Sequence, residues 1–336
     1  MEFVSISKIS RYLDPMNGFT PVDAYSEIRY DPLTGHSTRI LNFPVRPVDK
    51  PDHTEMIKKS KSFCPFCPEL VELVTPKFHP DLIKSERFIR GGATCFPNAF
   101  PNDENAAVTV MSKTHYVPIA GFDEIILTDS MNCCVDYLEE VALNQPSAVY
   151  QSINWNYMPL AGGSIIHPHL QITASSTPTN YYSSIEPVLS GYSEGKGNLF
   201  LHALVEEEKK AAQRFITESE NISWVVAFAP MGIFDVIGVI KNCTSASDLR
   251  GRVLSEMLAG IIRVLAYIDS LNMHSLNMSI YFRLNSEVFT PHIRICPRVS
   301  IPPFGTSQIN YMRMLHNEPM TTVRPESVCE AIKLIW

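Results

Sequence analysis

One order of secondary-structure elements occurs twice in this chain of 336 residues. The hydrophobic pattern predicts strand, turn, strand, long helix, strand and strand before residue 177, and the same series again from Ile222 onward. A single offset of 125 residues aligns the polar landmarks of the two series, which are Asp123 with Asp248, His167 with His292, and His169 with Arg294. Such a repeat indicates an internal duplication. We therefore predict two similar α+β halves, of which only the first keeps both histidines.

Composition and charge restrict the class of protein. Hydrophobic residues make up 45% of the chain and charged residues 19%, so a sizeable core is expected. A net charge of -7 argues against a nucleic-acid partner bound through phosphate contacts. The longest apolar runs, such as Trp224 to Ala229, are too short to span a bilayer, and Met1 to Ser10 lacks the apolar core of a secretory signal. Eight cysteines without such a signal indicate reduced thiols or metal ligands, and we expect a cytoplasmic protein with no membrane partner.

The stretch from Gly162 to Gln171 has the composition of a site. In an extended strand His167, His169 and Gln171 would project from one face, because residues two apart point the same way. Pro168 cannot donate to a sheet ladder, which favours an edge strand or the first residues of a strand. Gly162, Gly163 and Ser164 would let an anion approach main-chain N–H groups. An edge strand with ordinary surface histidines is the alternative.

A Cys-x-x-Cys pair, Cys64 and Cys67, lies in a turn rich in proline and is half of a typical structural zinc site. Two other interpretations are a redox pair at the start of a helix and a chance pair of buried cysteines. No second pair of this spacing follows, so histidines would have to complete a metal site. His115, after the strand Ala107 to Met111, and His167 are the candidates, although a lone histidine at a strand end is usually a surface residue.

His169 is the candidate for covalent chemistry. A neutral imidazole is a good nucleophile toward phosphorus, and the phosphoramidate that it forms is labile enough to pass its phosphoryl group on. An acceptor such as a backbone carbonyl would fix the tautomer. Ser164 and Gln171 would donate hydrogen bonds to phosphate oxygens as charge develops.

The remaining segments carry fewer signals. Residues 1–50 read as an N-terminal arm, in which a hairpin is predicted from Tyr25 to Tyr30 and from Ser37 to Leu41. Residues 177–221 read as a polar connection with one helix, Leu199 to Ser219, whose charges form a solvated face. Three polar residues lie in a turn-rich segment, namely Asn98, Asn102 and Asp103. Such residues ordinarily form turns, and the more specific alternative is that they bind a ribose.

Taken together, the motifs resemble the galactose-1-phosphate uridylyltransferase family, the transferase branch of the histidine-triad superfamily. The matches run in order through residues 60–300: Cys64 and Cys67, Asn98, His115, Asn156, Ser164 and His167-Pro168-His169-x-Gln171. The resemblance implies an α+β fold of two tandem histidine-triad-like halves with antiparallel sheets flanked by helices. We expect an N-terminal arm at 1–50, a first half at 51–200 with the zinc and the catalytic histidine, and a degenerate second half at 201–336.

The resemblance also implies roles for individual residues. Zn²⁺ would be bound by Cys64, Cys67, His115 and His167, and His169 would be the nucleotidylated nucleophile. The substrate would lie against Asn98, Asn102, Asp103, Asn156, Gly163, Ser164 and Gln171. The family is usually dimeric, so we expect a homodimer.

Several positions depart from the family pattern. Leu170 stands where glycine is common, Arg294 replaces a histidine of the second half, and Met312 and Arg313 follow Tyr311 where a sugar-binding Tyr-Glu pair is usual. An accessory metal would need that histidine and a glutamate such as Glu186, and we do not predict it. Arg294 and Arg313 suit a more anionic acceptor than a hexose.

The predicted activity is nucleotidyl transfer between a nucleotide-sugar-like donor and a phosphate-bearing acceptor through a covalent intermediate. One alternative is a nucleotide-sugar or dinucleotide phosphorylase that uses inorganic phosphate. The other is an inactive, zinc-stabilised nucleotide-binding or scaffold protein.

Overall fold

The structure is a computed structural model that describes residues 1–43, 50–301 and 305–336. Its strands are β1 (Ser5–Asp14), β2 (Thr20–Tyr30), β3 (Ser37–Leu41), β4 (Phe88–Arg90), β5 (Ala93–Pro97), β6 (Asn105–Val110), β7 (Tyr150–Tyr157), β8 (His169–Ser175), β9 (Phe215–Glu218), β10 (Ile222–Val226), β11 (Val236–Ile240), β12 (Leu276–Arg283), β13 (His292–Pro297), β14 (Ser300–Ile301), β15 (Thr306–Ser307) and β16 (Met320–Thr321). Its helices are α1 (Thr54–Lys61), α2 (Val71–Val74), α3 (Glu124–Asn144), α4 (Asn180–Lys196), α5 (Phe200–Ala211), α6 (Gly251–Ser270), α7 (Tyr311–Leu315) and α8 (Pro325–Lys333). The predicted α+β class is confirmed. Among the described residues, none of the helices combines the length and apolarity that a bilayer crossing requires.

Ten antiparallel strands form one sheet that runs through both halves of the chain. Their order is β4-β5-β6-β8-β7-β12-β13-β11-β10-β9. The halves meet where β7 pairs with β12 along eight residues, from Tyr157 opposite Leu276 to Tyr150 opposite Arg283. The long helices α3 and α6 pack on one face of the sheet and on each other. The hydrophobic pattern predicts a helix from Asp123 to Leu143 that starts near Asp123 or near Thr128 and Asp129. The structure selects Asp123 as the cap of α3, because its carboxylate accepts from the Ile126 N–H.

The strand register corrects the predicted alignment of the two halves. His169 lies opposite Val110 of β6, and His292 lies opposite Val239 of β11 in the mirrored position. The counterpart of His169 is therefore His292 and not Arg294. Arg294 lies opposite Ser279 just as Gln171 lies opposite Asn154 across the other strand, so Arg294 is the counterpart of Gln171. The offset of 125 failed because the connections around the two strand pairs differ in length by two residues.

The predicted N-terminal arm is part of a second sheet, whose order is β1-β2-β3-β16. The predicted hairpin is confirmed, since β2 and β3 pair from Ser26 opposite Leu41 to Tyr30 opposite Ser37. The C-terminal strand β16 pairs with β3 in parallel, so a segment near the C-terminus supplies the last strand of this sheet. Residues 44–49 of the predicted arm lie outside the described residues.

An ion-pair network joins this second sheet to the C-terminal helix. Arg29 of β2 donates to the Glu326 carboxylate of α8 at 2.7 Å, and Arg214 donates to the same oxygen at 2.9 Å. Both guanidinium groups are almost completely buried, and they stack on the Phe228 ring. Buried charges are tolerated when each one is paired and hydrogen-bonded at short distance, as these two guanidinium groups are with Glu326.

The connection at residues 177–221 differs from its prediction. It contains two helices, α4 and α5, and the strand β9, where one helix was expected. Glu208 of α5 does not belong to a solvated face, because it is 1% exposed and pairs with Arg214 at 3.0 Å. Residue 201, the expected start of the second half, lies in the first turn of α5.

Candidate active site and metal centre

Four of the predicted site residues converge in one buried cluster. One ligand atom from each of Cys64, Cys67, His115 and His167 lies within 4.8 Å of the others. The Sγ–Nδ1 distances are 3.6 Å for Cys64–His167, 3.4 Å for Cys67–His115 and 3.8 Å for Cys67–His167. Two atoms on a tetrahedral zinc ion at the usual bond lengths would be about 3.6 Å apart. The cluster therefore has the dimensions of a Cys₂His₂ metal site.

Hydrogen bonds on the far side of each imidazole present the correct nitrogen to this cluster. His167 donates from Nε2 to the Ser112 carbonyl oxygen at 2.7 Å. The Ser60 hydroxyl donates to the Ile57 carbonyl, so at 2.9 Å it accepts from His115 Nε2. Both Nδ1 atoms consequently carry lone pairs that face the thiols, as metal ligands require. The residues present fit a bound metal ion.

Burial favours the uncharged forms of Cys67 and His167 in this cluster. Burial raises the pKa of the Cys67 thiol to about 11, with the neighbouring Cys64 adding to the shift. Burial lowers the pKa of His167 to about 4. A cation bound here would stabilise the thiolate form of the cysteines and so deprotonate them on binding. The redox interpretation finds no structural support, because the pair follows α1 and does not follow a strand.

His169 is the first residue of β8, in the interior of the large sheet, and Pro168 stands just before the strand. The His169 Nδ1–H donates to the carbonyl oxygen of His167 at 2.8 Å, which leaves the lone pair on Nε2. Burial lowers the pKa of His169, so the imidazole is neutral near pH 7. The strand does not extend back to His167 as predicted, but Gln171 follows on the same face as His169.

Phe66, which lies between the two cysteines, was not singled out from the sequence. Its ring packs edge-on against His169 with centroids 5.3 Å apart, and it also touches His167 at 6.4 Å. Phe66 is 8% exposed, whereas Phe63 in the same turn is 85% exposed. The sequence feature that could have indicated this contact is an apolar residue inside the Cys-x-x-Cys motif.

The loop from Met158 to Ser164 leads into the site. Met158 has φ +69°, a backbone conformation that side-chain-bearing residues rarely adopt. A Cβ on Gly163 would lie 2.7 Å from the Asn156 carbonyl oxygen and 3.1 Å from that of Met158, so only glycine fits there. Ser164 is exposed at the end of this loop.

A polar cavity of about 520 Å³ lies on the face of the sheet that carries Gln171. Asn102, Asp103, Asn156 and Gln171 line it, and Asn156 Nδ2 lies 3.5 Å from Gln171 Oε1. The second half contributes Asn277, Ser279 and Tyr281. Asn277, which was not predicted, donates to Asn156 Oδ1 at 2.7 Å across the junction of the halves.

Asn98 is placed apart from these residues. Its Oδ1 accepts from the Phe100 N–H at 3.0 Å, which is the ordinary role of asparagine in a turn. It is not among the residues that line the cavity.

The second half holds its histidine in a closed environment. His292 donates from Nδ1 to the Thr290 carbonyl oxygen at 2.9 Å, as His169 does to His167, but its Nε2 accepts from the Tyr181 hydroxyl at 2.7 Å. The ring stacks on Tyr281 with centroids 5.0 Å apart and is 1% exposed. No atom of His292 is free to react in this arrangement.

Arg294 and Glu186 are also occupied by neighbours. Arg294 is buried and pairs with Asp235, with Asp31 3.6 Å away, so its charge is compensated inside the protein. Glu186 accepts from Arg283 at 2.8 Å and from the Tyr150 hydroxyl at 3.2 Å. Of the two arginines expected to attract an anionic acceptor, only Arg313 has no carboxylate within ion-pair distance among the described residues.

Comparisons with known proteins give one relative by sequence and several by structure. An uncharacterized protein from Archaeoglobus fulgidus is 30% identical over 312 residues, which is 92% of this chain and 92% of the archaeal protein. No protein-family model matches the chain.

The structural likenesses extend over nearly the whole chain. A GalT-like protein from Arabidopsis thaliana superposes with a TM-score of 0.66 at 18% identity, covering 91% of this chain and 98% of its own. An ADP-glucose phosphorylase from Arabidopsis thaliana with bound ADP-glucose gives 0.66 at 18%, covering 92% and 98%. A uridylyltransferase gives the same TM-score at 18% identity, again over 92% and 98% of the two chains. At these identities the likeness shows the fold.

Proposed function

We propose that this chain is a nucleotidyltransferase that forms a covalent intermediate on His169. The chain belongs to one family with the archaeal protein, and it has the fold of the galactose-1-phosphate uridylyltransferases. The donor would be a nucleotide sugar or a similar nucleoside diphosphate compound. The acceptor would bear a phosphate group.

One observation carries this proposal, namely the 2.8 Å hydrogen bond from His169 Nδ1 to the His167 carbonyl oxygen. It selects the tautomer whose lone pair is on Nε2, and the lowered pKa keeps that lone pair unprotonated near pH 7. A neutral imidazole fixed in one tautomer is ready to attack phosphorus without a separate base.

The reaction would proceed in two displacements. In the first, His169 Nε2 attacks the α-phosphorus of the donor, a P–N bond forms, and the P–O bond to the remaining phosphate breaks with its electron pair leaving on that phosphate. In the second, a phosphate oxygen of the acceptor attacks the same phosphorus and the P–N bond breaks. His169 is thereby regenerated, and the kinetics would be ping-pong.

The neighbouring loop supplies groups suited to the phosphates. Ser164 and Gln171 would donate to phosphate oxygens, and Gly163 lets the backbone approach closely. Asn156, Asn102 and Asp103 line the adjacent cavity and are assigned to the nucleoside or sugar. Asn98 is not assigned to the substrate here, since its side chain is engaged in a turn and does not line the cavity.

Cys64, Cys67, His115 and His167 are proposed to hold a structural zinc ion. When bound there, zinc would fix the turn that carries Phe66 and the backbone of His167, and so the orientation of His169. The dimensions of the cluster and the orientation of both Nδ1 atoms support this assignment.

The test is trapping of the intermediate. The purified protein is incubated with ADP-glucose or UDP-glucose, and the mass of the intact chain is measured before and after the reaction. We expect the mass of one nucleoside monophosphate to be added, and to be lost in His169→Ala but kept in the exposed control His79→Ala. A protein that binds nucleotide but is never labelled would contradict the proposal and favour the inactive, nucleotide-binding alternative.

A phosphorylase is the second candidate, and a specific feature favours it. A smaller cavity of about 210 Å³ adjoins the first through shared residues such as Asn277, and Arg313 lines it. A cation at that position suits a compact anionic acceptor. Labelled protein is therefore offered either inorganic phosphate or a hexose 1-phosphate, and the acceptor that removes the label distinguishes phosphorylase from transferase.

The proposal includes a homodimer, as the family that the chain resembles is usually dimeric. The hairpin of β1 and β2 supports it, because apolar side chains such as Ile9, Leu13, Phe19 and Tyr25 are more than half exposed along it. A two-stranded ribbon with such a surface is marginal alone and is stabilised by a partner. Sedimentation equilibrium of the wild type and of Leu13→Glu tests this, with a dimer and a weakened dimer as the expected results.

We also propose that residues 51–200 and residues 201–336 form the two halves of the fold, which meet at the β7–β12 junction. The continuous sheet across that junction implies that neither half is stable alone. Separate expression of each half, followed by circular dichroism, would test it.

A further inference from the structure

A second cavity, of about 390 Å³, lies behind the loop that leads to His169. Its wall is formed by Met158, Pro159 and Leu160 of that loop, by the residues that enter β12, and by the residues that leave β13. Its described lining has no residue in common with the 520 Å³ cavity beside Gln171. It lies on the reverse side of the loop and adjoins the 210 Å³ cavity at one shared residue, Arg298.

Three buried nitrogen atoms of the lining side chains have no hydrogen-bond partner among the described residues. They are His53 Nε2, His274 Nε2 and Arg298 Nε. The His274 side chain is only 9% exposed, and its other nitrogen, Nδ1, lies 3.7 Å from Asp269. Buried polar atoms are rarely left unsatisfied, so three such nitrogens on the side chains around one cavity favour a polar ligand there.

Arg298 indicates that a ligand in this cavity would be negatively charged. Its guanidinium is half-buried and donates from NH1 to Asn277 Oδ1 at 3.2 Å, but no carboxylate lies within ion-pair distance in the described part of the chain. Arg313 and Lys50 add positive charge nearby, since they depress the pKa values of Arg298 and His274 after the larger effect of burial. Asp269 and Asp52 lie beside the two histidines and do not pair with Arg298. An uncompensated guanidinium of this kind calls for an anion.

The rest of the wall is apolar. It includes Met56, Met158, Met273 and Val299, and methionines adapt their shape well to flat or branched apolar groups. An isolated inorganic ion would leave this surface uncovered.

We infer that this cavity is a second ligand site, which binds a small organic anion with an apolar body and one carboxylate or phosphate head group. The head group would accept from Arg298 Nε and bond to His274 and His53, and the body would lie against the methionines. An occupant would rest on the back of the loop, and Arg298 is joined to Asn156 through Asn277.

The experiment uses isothermal titration calorimetry on the full-length, metal-replete protein with four probes. Phenyl phosphate and 3-phenylpropionate carry an apolar body with either head group, inorganic phosphate has no body, and benzyl alcohol has no charge. We expect at least one of the first two to bind with a Kd on the order of 0.1 mM, as fits a ligand of this size, and at least tenfold more tightly than the last two. Which of the two binds identifies the head group.

Two variants locate the binding. Arg298→Met should weaken it at least tenfold and His274→Phe at least threefold, while Arg298→Lys retains part of it and the exposed control Arg11→Met leaves it unchanged. The same binding is expected in His169→Ala, so the result is independent of the proposed activity. The inference is overturned if no saturable binding is seen up to about 10 mM, if inorganic phosphate or benzyl alcohol binds equally well, or if His274→Phe binds like the wild type. His274 decides the location because Arg298 also lines the 210 Å³ cavity and His274 does not.

Discussion

The edge of the Phe66 ring packs against the imidazole of His169, with centroids 5.3 Å apart and planes inclined by 70°. Phe66 is held by the turn whose cysteines belong to the metal cluster, and His169 follows the fourth ligand by two residues. The metal cluster and the proposed nucleophile are thus joined by one aromatic contact as well as by the chain.

We expect Phe66→Leu to slow labelling of His169 about 10- to 100-fold while metal content stays unchanged, because the imidazole would lose the contact that fixes its position. Phe63→Leu, in the same turn but exposed, is the matched control and should label at the wild-type rate. Rapid-quench labelling together with metal analysis provides the measurement. Equal slowing by both variants would show that the turn as a whole, and not this contact, governs the rate.

Replacing Cys64 should affect metal and stability together. We expect Cys64→Ser to lower the bound zinc and to lower the free energy of unfolding by several kcal/mol, since metal binding is coupled to folding. Cys243→Ser alters a buried thiol outside the cluster and should keep the metal. Metal analysis and denaturant unfolding check both, and full stability without bound metal would exclude a structural zinc site.

Gly163 should not tolerate a side chain. In Gly163→Ala the new Cβ would meet two backbone carbonyl oxygens, so the loop must shift and we expect labelling to fall about 100-fold. Gly191→Ala is the control, because no atom lies near its Cβ position within α4, and it should be neutral or slightly stabilising. If Gly163→Ala labelled normally, the loop would not be the phosphate-binding element.

Only one histidine per chain should become labelled. His292 Nε2 is occupied by Tyr181 and its ring is covered, so saturating donor should add one nucleotide, on His169. Tyr181→Phe is expected to cost about 1 kcal/mol of stability through the lost hydrogen bond and to leave the labelling at one. Peptide mapping after labelling measures this, and a second labelled peptide containing His292 would refute it.

The acid stability of the protein should depend on Glu326. Burial alone would raise the pKa of its carboxyl, but Arg29 and Arg214 overcome that effect and hold the pKa at about 2. Since this pKa is lower than in the unfolded chain, the stabilisation is complete above about pH 5 and is lost as pH falls toward 2. Glu326→Gln should therefore lower the free energy of unfolding by about 2–4 kcal/mol at pH 7, and by progressively less in acid.

Urea unfolding at pH 7, 5 and 3 measures that difference. Glu86→Gln removes an exposed partner of Lys77 and serves as the control, with no resolvable change expected at any of these pH values. A gap between Glu326→Gln and the wild type that stays constant with pH would assign the effect to packing instead of charge.

Local patterns in the sequence predicted the elements well. Periodicity predicted the helix seen as α3, with Asp123 as one of two possible starts, and the turn formers after Tyr30 predicted the β2–β3 hairpin. Both features depend on neighbouring residues. The convergence of Cys64, Cys67, His115 and His167 was expected from the family resemblance, and the structure brings the four together. Their roles stay predictions for experiment.

Other features depend on contacts between distant segments and gave no local signal. The counterpart of His169 is set by hydrogen-bond register and not by a constant offset, so the sequence led to Arg294 where the sheet has His292. The burial of Glu208 required knowing that Arg214 would face it. The addition of β16 to β3 joins residues some 280 positions apart, a pairing that no pattern within either segment specifies.

The pairing of β7 with β12 has a consequence for how such a protein changes over time. Part of the lining of the 520 Å³ cavity beside Gln171 comes from Asn277, Ser279 and Tyr281 of the second half, whose His292 is covered. If His169 is the nucleophile, the second half takes no part in bond breaking and still helps to determine which molecule fits the cavity. Substitutions in the second half would then change which ligands bind without altering His169. Ligand specificity and the catalysed reaction could therefore evolve independently.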